Sequence, residues 1–136
     1  MILLDTQIWV WWVSDSKRLT DRHREILEHG EDRNFCVSIY SCWEVAKLVE
    51  KGRLQLEAPV REWLKTALEK PGIQLINLDF DIIVESTRLP DRFQGTREER
   101  LKDPADQLIV ATAKLLNCKL MTEDRQILAY EHVDTI

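Results

Sequence analysis

The sequence predicts an α/β fold, a parallel sheet covered by helices on both faces. Three observations carry that expectation. Short apolar runs alternate with longer stretches of helical spacing from one end of the chain to the other. The short runs are largely apolar, without the clean alternation of a sheet that has one wet face. Turn and cap residues, among them Gly30, Gly52, Pro71-Gly72 and Pro90, punctuate the segments.

Residues 2–5 read as a buried strand ending in Asp5. Asp5 and Thr6 can cap the next segment, and residues 8–13, with Trp9, Trp11 and Trp12, read as a buried first helix. Residues 20–30 start at a Thr20/Asp21 cap and stop at Gly30, as a surface helix does. Residues 35–39 form a second strand. Ser41, with Glu44 three residues on, has the form of a capping box and opens a helix that runs to Gly52. Pro59 opens the next helix, where Val60, Trp63, Leu64, Ala67 and Leu68 follow the spacing of a single apolar face. Pro71-Gly72 stops it, and residues 73–78 are a third strand. Asp79 or Asp81 caps a helix reaching about Leu89. Residues 91–102 are polar and read as a loop. Residues 103–117 are a core helix, with Asp103 as N-cap, Pro104 at the first position and Asp106 in the first turn. Residues 119–121 are a fourth strand, Asp124 starts a short helix, and residues 132–134 supply a fifth strand.

The bulk numbers set bounds. A chain of 136 residues suits one domain, 1–136, with a real core. A hydrophobic share of 44% with 32% charged residues is a globular composition. No apolar run approaches the ~20 residues of a membrane span. Met1 to Asp5 has no basic leader, which argues against a secretory signal. Cys36, Cys42 and Cys118 lack a CxxC spacing and read as reduced thiols in or near the core of a cytoplasmic protein. The net charge of −5 argues against a broad electrostatic nucleic-acid platform. Two local basic groups remain: Arg92, Arg97, Arg100 and Lys102 before the core helix, and Lys17, Arg18, Arg22 and Arg24 earlier. The plain reading of each is a solvated surface.

In open parallel sheets, sites form beyond the carboxyl ends of the strands. That rim collects Asp5, Glu44, Asp106 and Asp124 from separated parts of the chain. Each has an ordinary reading as well. Asp5, Asp103 and Asp124 serve as caps, and Glu44 falls on the same helical side as Lys47 and can pair with it. Asp106 is harder to explain that way, because Asp103 already supplies the cap. Carboxylates gathered at one rim repel each other unless a divalent cation neutralises them. Oxygen-only donors favour Mg²⁺ or Mn²⁺. No His/Cys spacing suits zinc; His23, His29 and His132 are scattered and read as surface residues. Carboxylate-held Mg²⁺ serves phosphoryl-transfer and phosphodiester chemistry.

Four segments carry a resemblance. Leu3-Leu4-Asp5-Thr6, Ser41-Cys42-Trp43-Glu44-Val45 with the stretch on to Gly52-Arg53-Leu54, Asp103-Pro104-Ala105-Asp106 with the apolar run to Ala113, and Met121-Thr122-Glu123-Asp124 resemble, in this order, the acidic motifs of PIN-domain ribonucleases. Within them the match is to the VapC-like toxins of toxin–antitoxin pairs. The resemblance implies a three-layer α/β/α sandwich around a five-stranded parallel sheet. It implies Mg²⁺- or Mn²⁺-dependent endonucleolytic cleavage of an RNA substrate. It maps the catalytic acids onto Asp5, Glu44, Asp106 and Asp124, with Asp5 and Asp106 as central metal ligands and Glu44 and Asp124 joining directly or through water. Asp103, Thr6 and Thr122 stand as accessory residues. Arg92, Arg97, Arg100 and Lys102 are the expected RNA-backbone contacts. A homodimer and a cognate antitoxin are implied partners, the latter expected on the 45–54 and 60–70 helices. The chain departs from many relatives in having Leu101-Lys102 where they carry a His, and Gln107 where they carry an Arg. Two rival readings compete: a non-catalytic RNA- or protein-binding module of the same fold, and a phospho-acceptor domain with Asp5 as nucleophile. The second suffers from the lack of another acid beside Asp5.

Overall fold

A computed structural model describes residues 1–90 and 101–136. Among these residues, four strands, β1 (Ile2–Leu4), β2 (Phe35–Ser38), β3 (Ile73–Ile76) and β4 (Lys119–Met121), form one sheet in the order β3-β2-β1-β4. Every pairing is parallel, with Leu3 opposite both Cys36 and Leu120. The helices are α1 (Thr6–Val13), α2 (Asp21–His29), α3 (Ile39–Glu50), α4 (Val60–Leu68), α5 (Phe80–Ser86), α6 (Pro104–Leu115) and α7 (Arg125–Leu128).

Successive strand residues point to opposite faces, so a strand buried on both faces must be apolar at every position. Ile2, Leu4, Phe35, Val37 and Met121 enter one core with residues of α1, α2, α3 and α4. Leu3, Cys36 and Leu120 enter the other with α5, α6 and α7. This is the expected three-layer sandwich. The apolar positions foreseen on α4 all pack in the first core, with Trp63 edge-on to Trp9 at 5.4 Å between ring centroids. Within α6, Ile109 to Ala113 are buried, while Leu115 is exposed.

The sheet differs from expectation at its edge. Where residues 132–134 were expected as a fifth strand, the described chain makes one parallel bridge, Leu120 to Thr135. The segment is too short and too polar to extend the ladder further. His23 is another correction. It is buried rather than on the surface, because the third position of α2 faces the first core, where its Nε2 lies 2.9 Å from the Ile136 carbonyl oxygen. The three cysteines are free, Cys36 and Cys42 buried and Cys118 half-buried. Among the described residues, no helix is long and apolar enough to cross a membrane.

The strand order places the rim that carries the candidate acids. The chain steps outward from β1 to β2 to β3, then returns across the sheet to put β4 on the other side of β1. Connections on the two sides of β1 therefore leave over opposite faces. The crevice this opens at the strand carboxyl ends is where ligands bind in such sheets.

Candidate functional site

Asp5 follows β1 directly and sits in that crevice. Its own N–H donates to the Met121 carbonyl at 3.0 Å, a last rung between β1 and β4. As N-cap of α1, its Oδ1 accepts from the Thr6 N–H at 2.8 Å. Its Oδ2 accepts from the Thr122 hydroxyl at 2.7 Å. The Thr122 oxygen in turn accepts from the Asp124 N–H at 3.0 Å, so one threonine ties the ends of β1 and β4 together. Asp124 caps α7, accepting from Gln126 and Ile127 N–H groups at 2.8 and 3.1 Å.

Glu44 arrives on α3, and here the capping expectation fails. The N-cap is Ser38, which accepts from the Tyr40 N–H at 3.1 Å; α3 begins without a loop after β2. Ser41 is therefore inside the helix and buried, and Glu44 lies in the second turn rather than the first. The Thr6 hydroxyl donates to Glu44 Oε1 at 2.8 Å and sits 2.7 Å from the Ser41 hydroxyl. Lys47 does not pair with Glu44. It binds Glu50 at 2.7 Å and lies over the Trp43 ring. Thr6 thus orients one acid through its side chain and another through its backbone.

The remaining acids come from α6. Asp103 caps it, accepting from the Ala105 N–H at 2.9 Å, with Pro104 at the first position as expected. Gln107 turns away, its side-chain amide donating to the Leu101 carbonyl at 2.7 Å. Asp106 stands apart. Among the described residues it is the one site acid with neither a hydrogen bond nor an ion pair, although the helix N-terminus beside it favours negative charge.

All five side chains, Asp5, Glu44, Asp103, Asp106 and Asp124, line one cavity of about 300 Å³. No lysine or arginine of the described chain shares its wall. Burial pushes the Asp5 carboxyl above the usual range, against the downward pull of Thr122 and Thr6. Glu44 is raised too, by burial first and then by the negative charge of Asp5 and Asp103. Asp106 is pushed up to about 7 by burial, with Asp124, Asp103, Asp5 and Glu44 adding repulsion. The wall also contains Glu123, Gln7, Trp11 and Leu48, which the sequence did not single out as site residues. The Glu123 carboxylate lies 3.1 Å from His23 Nδ1, too poorly aligned for a hydrogen bond. Of the expected RNA contacts, Lys102 is exposed just ahead of Asp103, and Arg92, Arg97 and Arg100 lie outside the described residues.

Among the described residues, no three Asp, Glu, His or Cys side chains converge tightly enough to enclose a metal ion. The donor set nevertheless fits one kind of cation. Every donor is a carboxylate oxygen, and the cavity carries negative charge that its wall leaves unbalanced. Mg²⁺ keeps several of its waters and takes one or two carboxylates directly, so it needs no closed nest of protein ligands.

Comparison with known proteins agrees with this geometry. Residues 2–133 match the PIN domain family. The chain is 31% identical over 131 residues to Ribonuclease VapC22 of Mycobacterium tuberculosis, spanning 96% of this chain and 92% of that protein. Among solved structures it is similar to VapBC2 from Rickettsia felis bound to a promoter DNA fragment, with a TM-score of 0.72 and 18% identity over 100% of this chain and 98% of that one. FitAcB from Neisseria gonorrhoeae gives a TM-score of 0.67 at 22% identity, over 100% and 96% of the two chains. At such identities these structures speak for the fold.

Proposed function

The chain belongs to the PIN-domain family, and from that membership we propose that it is a divalent-metal-dependent endoribonuclease, the toxin of a toxin–antitoxin pair, acting in the cytoplasm as one domain over residues 1–136. The observation that carries this reading is the single cavity lined by acids from four separated segments with no described cation in its wall. The ribonuclease relative supports RNA as the substrate.

Asp5 and Asp106 are the proposed direct ligands, with Glu44 and Asp124 completing the shell directly or through water. When bound, Mg²⁺ or Mn²⁺ supplies positive charge against the phosphodiester and acidifies water. The chain's own contribution is orientation. Thr122 fixes one oxygen of Asp5, and the Thr6 hydroxyl fixes one oxygen of Glu44. Asp103 adds negative charge at the rim while capping α6. Lys102, with Arg92, Arg97 and Arg100, is proposed to hold the RNA backbone, since the acidic wall by itself repels phosphates.

The test is cleavage of single-stranded RNA by the purified protein in Mn²⁺ and in EDTA, alongside Asp106→Asn. Products are expected only with wild type and metal. One observation favours the binding-module alternative, namely the lack of three converging ligands among the described residues. RNA bound without products in Mn²⁺ would establish it.

Partners follow the same reading. The similarity to VapBC2 and FitAcB, read with the PIN-domain membership, supports a cognate antitoxin, proposed on the surface of α3 and α4. A homodimer is also proposed. Phe80 is 87% exposed, and Ile83 and Val84 beside it on α5 are exposed as well, an apolar face suited to a second copy.

A further inference from the structure

A second cavity, of about 260 Å³, adjoins the acidic one and shares Thr6, Gln7, Trp11 and Leu48 with it. Its cationic wall residues are Arg18 and Arg53, where the acidic cavity has none. Both arginines are exposed, and among the described residues neither guanidinium has an ion pair.

Their placement follows from how two helices end. α1 closes with Asp15 in the left-handed region at φ 52°, its N–H donating to the Trp12 carbonyl and the Ser16 N–H to that of Trp11. α3 closes the same way, with Gly52 at φ 70°, its N–H donating to Val49 and the Arg53 N–H to Leu48. This paired bonding fixes the chain as it leaves a helix. Arg53 directly follows Gly52, three residues past the end of α3, and Arg18 follows the α1 turn with its N–H donating to Ser16 Oγ at 3.2 Å. Asp15, the nearby acid, is taken by Arg24 at 2.6 Å, so it does not neutralise Arg18. Two rigid turns from separate helices therefore present guanidinium groups to one cavity.

We propose that this cavity is a subsite for single-stranded RNA, in which Arg18 and Arg53 hold a backbone phosphate flanking the scissile one and Trp11, at the junction of the two cavities, stacks a base. The inference rests on the ribonuclease reading. Guanidinium forks match phosphate oxygens, and an aromatic face beside a basic groove is how single strands are held without regard to sequence. In a chain of net charge −5, a basic wall contiguous with a metal-binding acidic wall is where a polyanion can continue past the reaction centre.

The test is binding of a fluorescent, 2′-O-methylated single-stranded RNA, followed by anisotropy across a salt series in Mn²⁺. Arg18→Gln/Arg53→Gln is expected to weaken binding about tenfold and to flatten the slope of log K against log salt by about 0.7 for each phosphate no longer neutralised. Arg18→Lys/Arg53→Lys should restore the slope, because it restores the charge. Unchanged affinity and slope in the Gln pair would overturn the subsite. So would unchanged RNA binding with weakened affinity for the antitoxin, which would make the cavity a protein-docking groove. Cleavage of unmodified RNA by wild type is measured in parallel. Its absence counts against the ribonuclease reading, while the binding series judges the subsite separately.

Discussion

Two sets of acids in this molecule have opposite fates. Asp32 and Glu50 lie on the surface, the first beside the N-terminal amino group and the second beside Lys47, and those cations hold both carboxyls below the usual range. Asp5, Glu44 and Asp106 lie at the rim of the sheet, and burial in one another's company holds all three above it. The residue types are the same. What differs is water and neighbours. The surface acids are satisfied by the chain itself, whereas the rim acids form an anionic hollow that the chain leaves uncompensated and a divalent cation would stabilise.

The sharpest way to break this contrast is to neutralise Asp106. Asp106→Asn should fold and lose metal-dependent cleavage by more than the ~10–100-fold that removing a supporting group costs a metal site. Undiminished turnover by the pure, folded variant removes Asp106 from the mechanism.

The contrast also predicts a pH dependence in EDTA. A free Asp106 carboxyl ionises near 3.8, but in the folded metal-free protein it keeps its proton to about 7. As pH rises between those values the unfolded chain releases that proton first, so stability from this group is full below the lower value and gone above the upper one. Asp106 is only half-buried, and with solvent screening the loss is on the order of 1–2 kcal/mol. Urea unfolding at pH 5 and pH 8 should show wild type losing more stability than Asp106→Asn. Equal losses would mean that Asp106 is not strained by its neighbours.

Thr122→Val should act more gently. It leaves every carboxylate in place but frees one Asp5 oxygen, and a ~10–100-fold fall in Mn²⁺ affinity is expected. Phe80→Glu should convert the proposed dimer to monomer in light scattering at unchanged melting temperature. A dimer that survives it uses another face. At the small end, Glu50→Gln removes an exposed pair with Lys47 and should move neither melting temperature nor cleavage rate.

Much of this was legible in the sequence, for identifiable reasons. The layered fold followed from largely apolar strands and from caps such as Thr20, Asp79, Asp103 and Asp124, all of which the structure uses. Asp106 stood out because its helix already had a cap. Other features were not readable locally. Ser38 and Ser41 can both cap, and only the end of β2 decides between them. His23 faces the core, and its Nε2 meets the carbonyl of Ile136, a contact too distant in sequence to read. The short final segment had the composition of a strand end but too little length to pair beyond one bridge. Arg18 read only as one of a local basic group and Arg53 only as part of the turn after the Glu44 segment, because their common cavity exists only once α1 and α3 are packed side by side.

The rim acids are proposed to form a cation site. Thermal unfolding of wild type and Asp106→Asn at pH 8, each titrated with Mn²⁺ from a metal-free start, tests it most directly. The ion should raise the wild-type melting temperature in a saturable way, while the variant starts higher and responds little. Equal responses in both proteins, or none in wild type, would contradict it.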